Sequence, residues 1–173
     1  MEETLIKVIM ASKHLWATKL SDNSSTAKEQ LGIKRIEWNT TDACFKAYRY
    51  VQAASDTTVA NGTCLGFSDT LRQTVSLDVS NGDIEENQPA GVGIGTGTAS
   101  YYFWVQTGGY HSALLTDGGT DFANGCNVLL HASTDGVAEY EAVGASAVSL
   151  PLGIAVGAYS DSTVPTFLTL DEV

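Results

Sequence analysis

Three histidines, three cysteines and a few close carboxylate pairs are the side chains of this 173-residue chain whose types suit chemistry. His14, His111 and His131 lie far apart, with no His-x-x-x-His pair and no carboxylate at ligand spacing, so the pattern predicts neither a metal nor any other cofactor. Cys44, Cys64 and Cys126 are an odd number at wide spacing without Cys-x-x-Cys, which argues against a disulfide framework and a zinc cluster alike. They read as buried free thiols, because a reactive cysteine needs a basic, partly exposed setting and Cys64 and Cys126 stand in acidic or neutral sequence. Asp83/Glu85/Glu86 and Glu139/Glu141 are spaced like paired catalytic carboxylates, yet acids on turns and strand faces more commonly keep a protein soluble. The chain has no Gly-x-Ser-x-Gly elbow to support a serine triad.

Two further motifs invite a functional reading. Gly91-Val92-Gly93-Ile94-Gly95-Thr96-Gly97-Thr98 resembles a phosphate-binding loop only in glycine content: it lacks the Gly-x-Gly-x-x-Gly register, no Gly-Lys-Ser/Thr follows, and the next segment is β-prone rather than helical. Alternating glycines predict a strand with one bare face, approached closely by another backbone or a neighbouring subunit, which makes Gly93, Gly95 and Gly97 candidates for subunit packing. The run from Tyr101 to Gln106 puts Tyr101, Phe103 and Val105 on one face and Tyr102, Trp104 and Gln106 on the other, so both faces should be covered, by the core or by an interface. Tyr102 and Trp104 join the packing candidates.

The elements that hold these residues read as β. Ile33–Trp38 and Phe45–Gln52 alternate with period two, and Asn61-Gly62, Asn81-Gly82, Asp117-Gly118, Asn124-Gly125 and Asp135-Gly136 are turn dipeptides that tolerate positive φ. Short strands joined by such turns predict an all-β fold, a compact barrel or sandwich. Thr57–Gly62 and Thr120–Gly125 echo one another, as two equivalent strand-turn entries in one body. Ahead of them, residues 1–32 form an N-terminal helical or extended arm. Leu5, Ile9, Trp16 and Leu20 stand at roughly helical spacing, residues 21–25 are a polar linker, and Thr26 and Glu29 suit a capping box on a short helical turn ended by Gly32. Residues 33–173 form the β domain.

Charge narrows the partners. Residues 1–50 carry a net +2, whereas residues 51–173 carry −13 and a single cation, Arg72. Such a body has nothing with which to neutralise phosphates, which excludes counterion-driven binding to nucleic acid or to an anionic bilayer. The opening Met-Glu-Glu lacks the basic start and apolar run of a secretory leader, so synthesis and folding in the host cytoplasm are expected. The uncharged stretch 142–160 is broken by Gly144, Pro151, Gly153 and Gly157, which suits two buried strands meeting at Pro151 better than a membrane span.

The order of Leu31-Gly32 with Lys34-Arg35, then Phe45–Ala53, then Ser100–Gly109, then Pro151–Ala155 and Val164–Leu168 resembles the small virion proteins of tailed bacteriophages that accompany the major capsid protein. The likeness spans roughly residues 31–170. It implies a capsid decoration, or cement, protein: a non-enzymatic β body on the outer surface of the head, commonly a homotrimer, with the major capsid protein as its partner. Under that reading the basic N-terminal segment is a capsid-docking arm through Leu5, Ile9, Lys13, Trp16 and Lys19, and its alternative is a segment that merely covers its own core. Three other readings compete: a carbohydrate- or receptor-binding module of a fibre using Tyr101, Tyr102 and Trp104, a tail-tube subunit, and a small hydrolase using Glu139 and Glu141.

Overall fold

A computed structural model of the chain describes residues 16–78, 88–118, 122–131, 133–141, 150–158 and 162–171. Ten strands follow in order: β1 Lys34–Asn39, β2 Cys44–Ala53, β3 Cys64–Phe67, β4 Thr74–Ser76, β5 Pro89–Gly93, β6 Tyr102–Leu115, β7 Asn127–Leu130, β8 Ala138–Glu141, β9 Gly153–Ala155 and β10 Thr163–Thr169. The all-β expectation holds, and among the described residues there is no helix. Both alternating segments are strands, and β1 and β2 pair as the antiparallel hairpin Lys34↔Arg49 to Asn39↔Cys44.

All ten strands belong to one sheet, which curls until β6 pairs back onto β2, so that β2, β4, β3, β5 and β6 close a ring. β2 and β4 are the parallel pair of that ring; its other neighbours are antiparallel. The ring interior is filled by Val51, Ala53, Leu65, Phe67, Phe103 and Val105 with their neighbours, a packed core. β3 and β5 show why a second core forms. Leu65 points into the ring and the adjacent Cys64 out of it, and on β5 the register shift that pairs Leu65 with Gly91 and Gly66 with Pro89 sends Ala90 into the ring and Val92 out of it. There Cys64 and Val92 meet Val128, Leu152, Val164 and Leu168 of β7, β9 and β10, which extend the sheet beyond β6. The molecule therefore joins a barrel to a sandwich-like flank.

The N-terminal segment departs from expectation. Thr26 and Glu29 do not cap a helical turn, and residues 21–25 are no free linker. Residues 16–33 run without helix across the outer face of β2 and β6, and Ser24 exchanges two backbone hydrogen bonds with Tyr102. Tertiary packing decided this: Tyr48, Tyr50 and Trp104 present a large aromatic face, and covering it with Trp16, Leu20, Leu31 and Ile33 is worth more than one short turn of helix. Residues 3–15 of the expected arm lie outside the described residues, as do Asn81-Gly82, Asp83/Glu85/Glu86 and 142–149. Of the two strands expected around Pro151, the one after it is seen, as β9.

Candidate functional site

Among the described residues, most side chains with chemical capacity are used by the fold, and His14 lies outside the described residues. Cys64 is fully buried, and burial pushes its thiol far above the ordinary range, so the thiolate that would react is not formed. Cys126 is buried as well, whereas Cys44 is half-buried at the start of β2. His111 sits on the inner face of β6, with Nδ1 accepting from the Ala113 amide at 3.3 Å. Burial, reinforced by the nearby Lys46 ammonium, lowers its pKa to about 4, so the ring is neutral over the physiological range. His131 is paired at the surface: Nε2 meets Asp117 Oδ2 at 3.1 Å, and Nδ1 accepts from the Ser133 and Thr134 amides at 3.1 and 2.9 Å. With one nitrogen on a carboxylate and the other on backbone amides, the imidazole has none directed at a nucleophilic hydroxyl. Glu141 is buried and accepts from Asn127 Nδ2 at 3.1 Å, while Glu139 is half-buried. Among the described residues, no group of three His, Cys, Asp or Glu is gathered as a metal site.

Among the described residues, a dense electrostatic cluster is structural. Asp171, near the end of the described chain, is buried and holds both Lys34 and Arg49, the latter at 3.2 Å. Burial alone would raise its pKa, but the Lys34 hydrogen bond and the Arg49 charge outweigh it and hold the carboxyl below its ordinary value. This ties β10 to the β1–β2 hairpin.

The glycine and aromatic candidates are occupied by their own chain. At Gly93 an added Cβ would collide with the Ala60 carbonyl, and at Gly97 it would press on Val59 and Phe103 at 3.0 and 3.2 Å. The close approach predicted for this bare face is therefore made within the molecule. Gly95 alone has open space. Trp104 is 1% exposed, with its indole Nε1 donating to Thr18 Oγ1 at 2.9 Å, so within its own chain the N-terminal segment already covers it. Tyr102 stacks beside Tyr50, ring centroids 6.4 Å apart, and is half-buried. Sealing Trp104 also takes away the central aromatic of the carbohydrate reading. Of the docking candidates, Trp16 packs edge-on against Trp104 at 5.5 Å and Lys19 is exposed. Leu5, Ile9 and Lys13 lie outside the described residues.

What remains open is a face of the sheet. β1 pairs Ile36 with Ala47, β2 pairs Ala47 with Gly108, and β6 pairs Gly108 with Thr169, so four strands align one cross-strand row. Two residues along each strand, on the same face, stand Trp38, Phe45, Tyr110 and Phe167, and Phe167 pairs onward with Ile154 of β9. Trp38 and Phe45 touch edge-on at 5.0 Å and are each 53% exposed; Phe167 and Ile154 are each 43% exposed. Neither row contains a charged residue. Gly109 makes the crossing possible: its φ of +81° and the Phe45 carbonyl against it leave no room for a Cβ, so β2 and β6 approach closely where the aromatic row passes. Sequence reasoning missed this band. Its signal was the placing of Ile36 and Trp38 with Lys34 on one face of β1, an edge strand, where one face should have been polar.

No protein-family model, no curated protein and no solved structure matches the chain.

Proposed function

We propose that this protein is a non-catalytic structural component of a virion, a capsid decoration protein that seats on the outer surface of a tailed-phage head and stabilises it, with the major capsid protein as partner. The observation that carries the reading is the division of labour among the described side chains. Cys64, Cys126 and His111 are buried and His131 and Glu141 are paired, while a large uncharged sheet face is left bare. That is the economy of a protein whose output is contact rather than turnover. The acidic body, −13 over residues 51–173, suits an outer position away from the packaged nucleic acid, which it would repel. The resemblance of the order of sequence blocks to small virion proteins motivates the same reading. The docking arm is the basic N-terminal segment, with Leu5, Ile9 and Lys13 leading into Trp16 and Lys19, and Trp16 anchors its root on the barrel.

Cosedimentation of the purified protein with undecorated heads tests the proposal. Saturable pelleting, with decorated heads resisting heat or chelators better than bare ones, is the expected result, because a ligand of the assembled shell stabilises it by mass action. Protein that stays in the supernatant at every ratio would reject the decoration role.

A further inference from the structure

We propose that the uncharged band crossing β1, β2, β6, β10 and β9 is the surface through which two copies of this chain bind each other. The inference rests on the structural-protein reading above and moves self-association away from the Gly93–Trp104 region, which the chain covers itself. Three features of the band select a second copy as its occupant.

The first is area. Trp38, Phe45, Phe167, Ile36 and Ile154 are each about half exposed, which leaves on the order of 500 Å² of apolar surface bare, at the upper end of what a monomer tolerates. With the polar residues around it, such a patch approaches the roughly 800 Å² per partner that a stable association buries.

The second is shape and register. The apolar side chains come from neighbouring strands of one sheet and form aligned rows, a surface able to stack on a copy of itself about a two-fold axis. A different partner would have to bring a matching apolar face of its own, and the face known to be present at equal concentration is this one.

The third is charge. The chain carries −11 overall, so copies repel at long range; they come together at least cost where carboxylates are missing. The rows Ile36–Ala47–Gly108–Thr169 and Trp38–Phe45–Tyr110–Phe167–Ile154 hold none of the chain's 20 acids.

Sedimentation velocity on the full chain over about 1–200 µM, with Trp38→Glu, Phe167→Glu and Leu71→Glu variants, tests this. Leu71 is 72% exposed and off the band, so its variant adds the same charge elsewhere. All four proteins are first shown to be folded by near-ultraviolet circular dichroism and melting temperature. The expected result is concentration-dependent association of the wild type, a dissociation constant at least about thirtyfold weaker in each band variant, and no change in Leu71→Glu. A wild type that stays monomeric throughout, or band variants that associate like the wild type, overturns the proposal. Head cosedimentation of the same samples separates this inference from the function it rests on. Self-association without head binding leaves the band as a self-contact and removes the decoration role. A monomer whose head binding is abolished by Trp38→Glu assigns the band to the shell and overturns the self-contact.

Discussion

His111 shows how a residue type that suggests catalysis is turned into a structural element. Its imidazole fills a buried position on β6, facing Thr166 across the β10 pairing, and burial outweighs every other influence on its protonation. The sign of the resulting pH dependence follows directly. Between about pH 6.5 and 4 the unfolded chain takes up a proton on this ring and the folded chain does not, so stability falls as pH is lowered through that window. The loss is on the order of 3 kcal/mol, and urea unfolding at pH 7 and pH 4.5 should show it. In His111→Gln, which keeps an acceptor for the Ala113 amide, the portion of the pH dependence due to this ring should vanish. Asp171 acts in the same sense, over a lower pH window. Held below its ordinary pKa, it contributes stability that is present above about pH 4 and lost as pH falls through its lowered pKa.

At the scale of elements, residues 16–33 behave as a strap whose joints are polar and whose body is aromatic. The Glu29 carboxylate accepts from both the Thr18 amide and its hydroxyl at 3.0 and 3.1 Å, Arg35 donates to the Thr18 carbonyl at 2.9 Å, and the Arg35 guanidinium lies over the Trp16 and Trp104 rings. Thr18 is thus the knot, and Glu29 is what satisfies it. Removing that acceptor in Glu29→Ala leaves a buried amide donor unpaired, at a cost of about 1–3 kcal/mol, or a melting temperature lower by roughly 3–10 °C. Tryptophan emission should shift to the red in the same variant as water reaches Trp16 and Trp104. An unchanged melting temperature and emission would mean that the strap is held by its aromatic contacts alone.

On the scale of the whole molecule, a strongly acidic surface surrounds a band without charge. Self-association through that band sets apolar attraction against long-range repulsion between bodies of the same sign, and salt screens only the latter. Raising sodium chloride from about 50 to 500 mM should therefore tighten association severalfold, measured as the dissociation constant by sedimentation. An interface built on ion pairs would weaken instead, and that outcome would send the search for the contact to the Lys34–Arg49–Asp171 region.

Period-two alternation and glycine turns determined the all-β class, the β1–β2 hairpin and the entries to β3 and β7 at Asn61-Gly62 and Asn124-Gly125, because these signals are local: a side chain's face and a residue's permitted φ depend on immediate neighbours. The burial of Cys64 and Cys126 and the covering of both faces of Tyr102–Gln106 were legible for the same reason, since composition and alternation report which residues need shelter. Only the tertiary structure decided what supplied that shelter. Whether Trp104 met a second subunit or residue 18 of its own chain, and whether Glu29 capped a helix or tied Thr18, turned on contacts made across 86 and 11 residues of sequence. The uncharged band was the least legible feature, because the Trp38–Phe45 pair and the Ile154–Phe167 pair lie far apart in the chain and meet only once β6 aligns them. Local preference sets which way a side chain points; strand pairing sets what stands beside it.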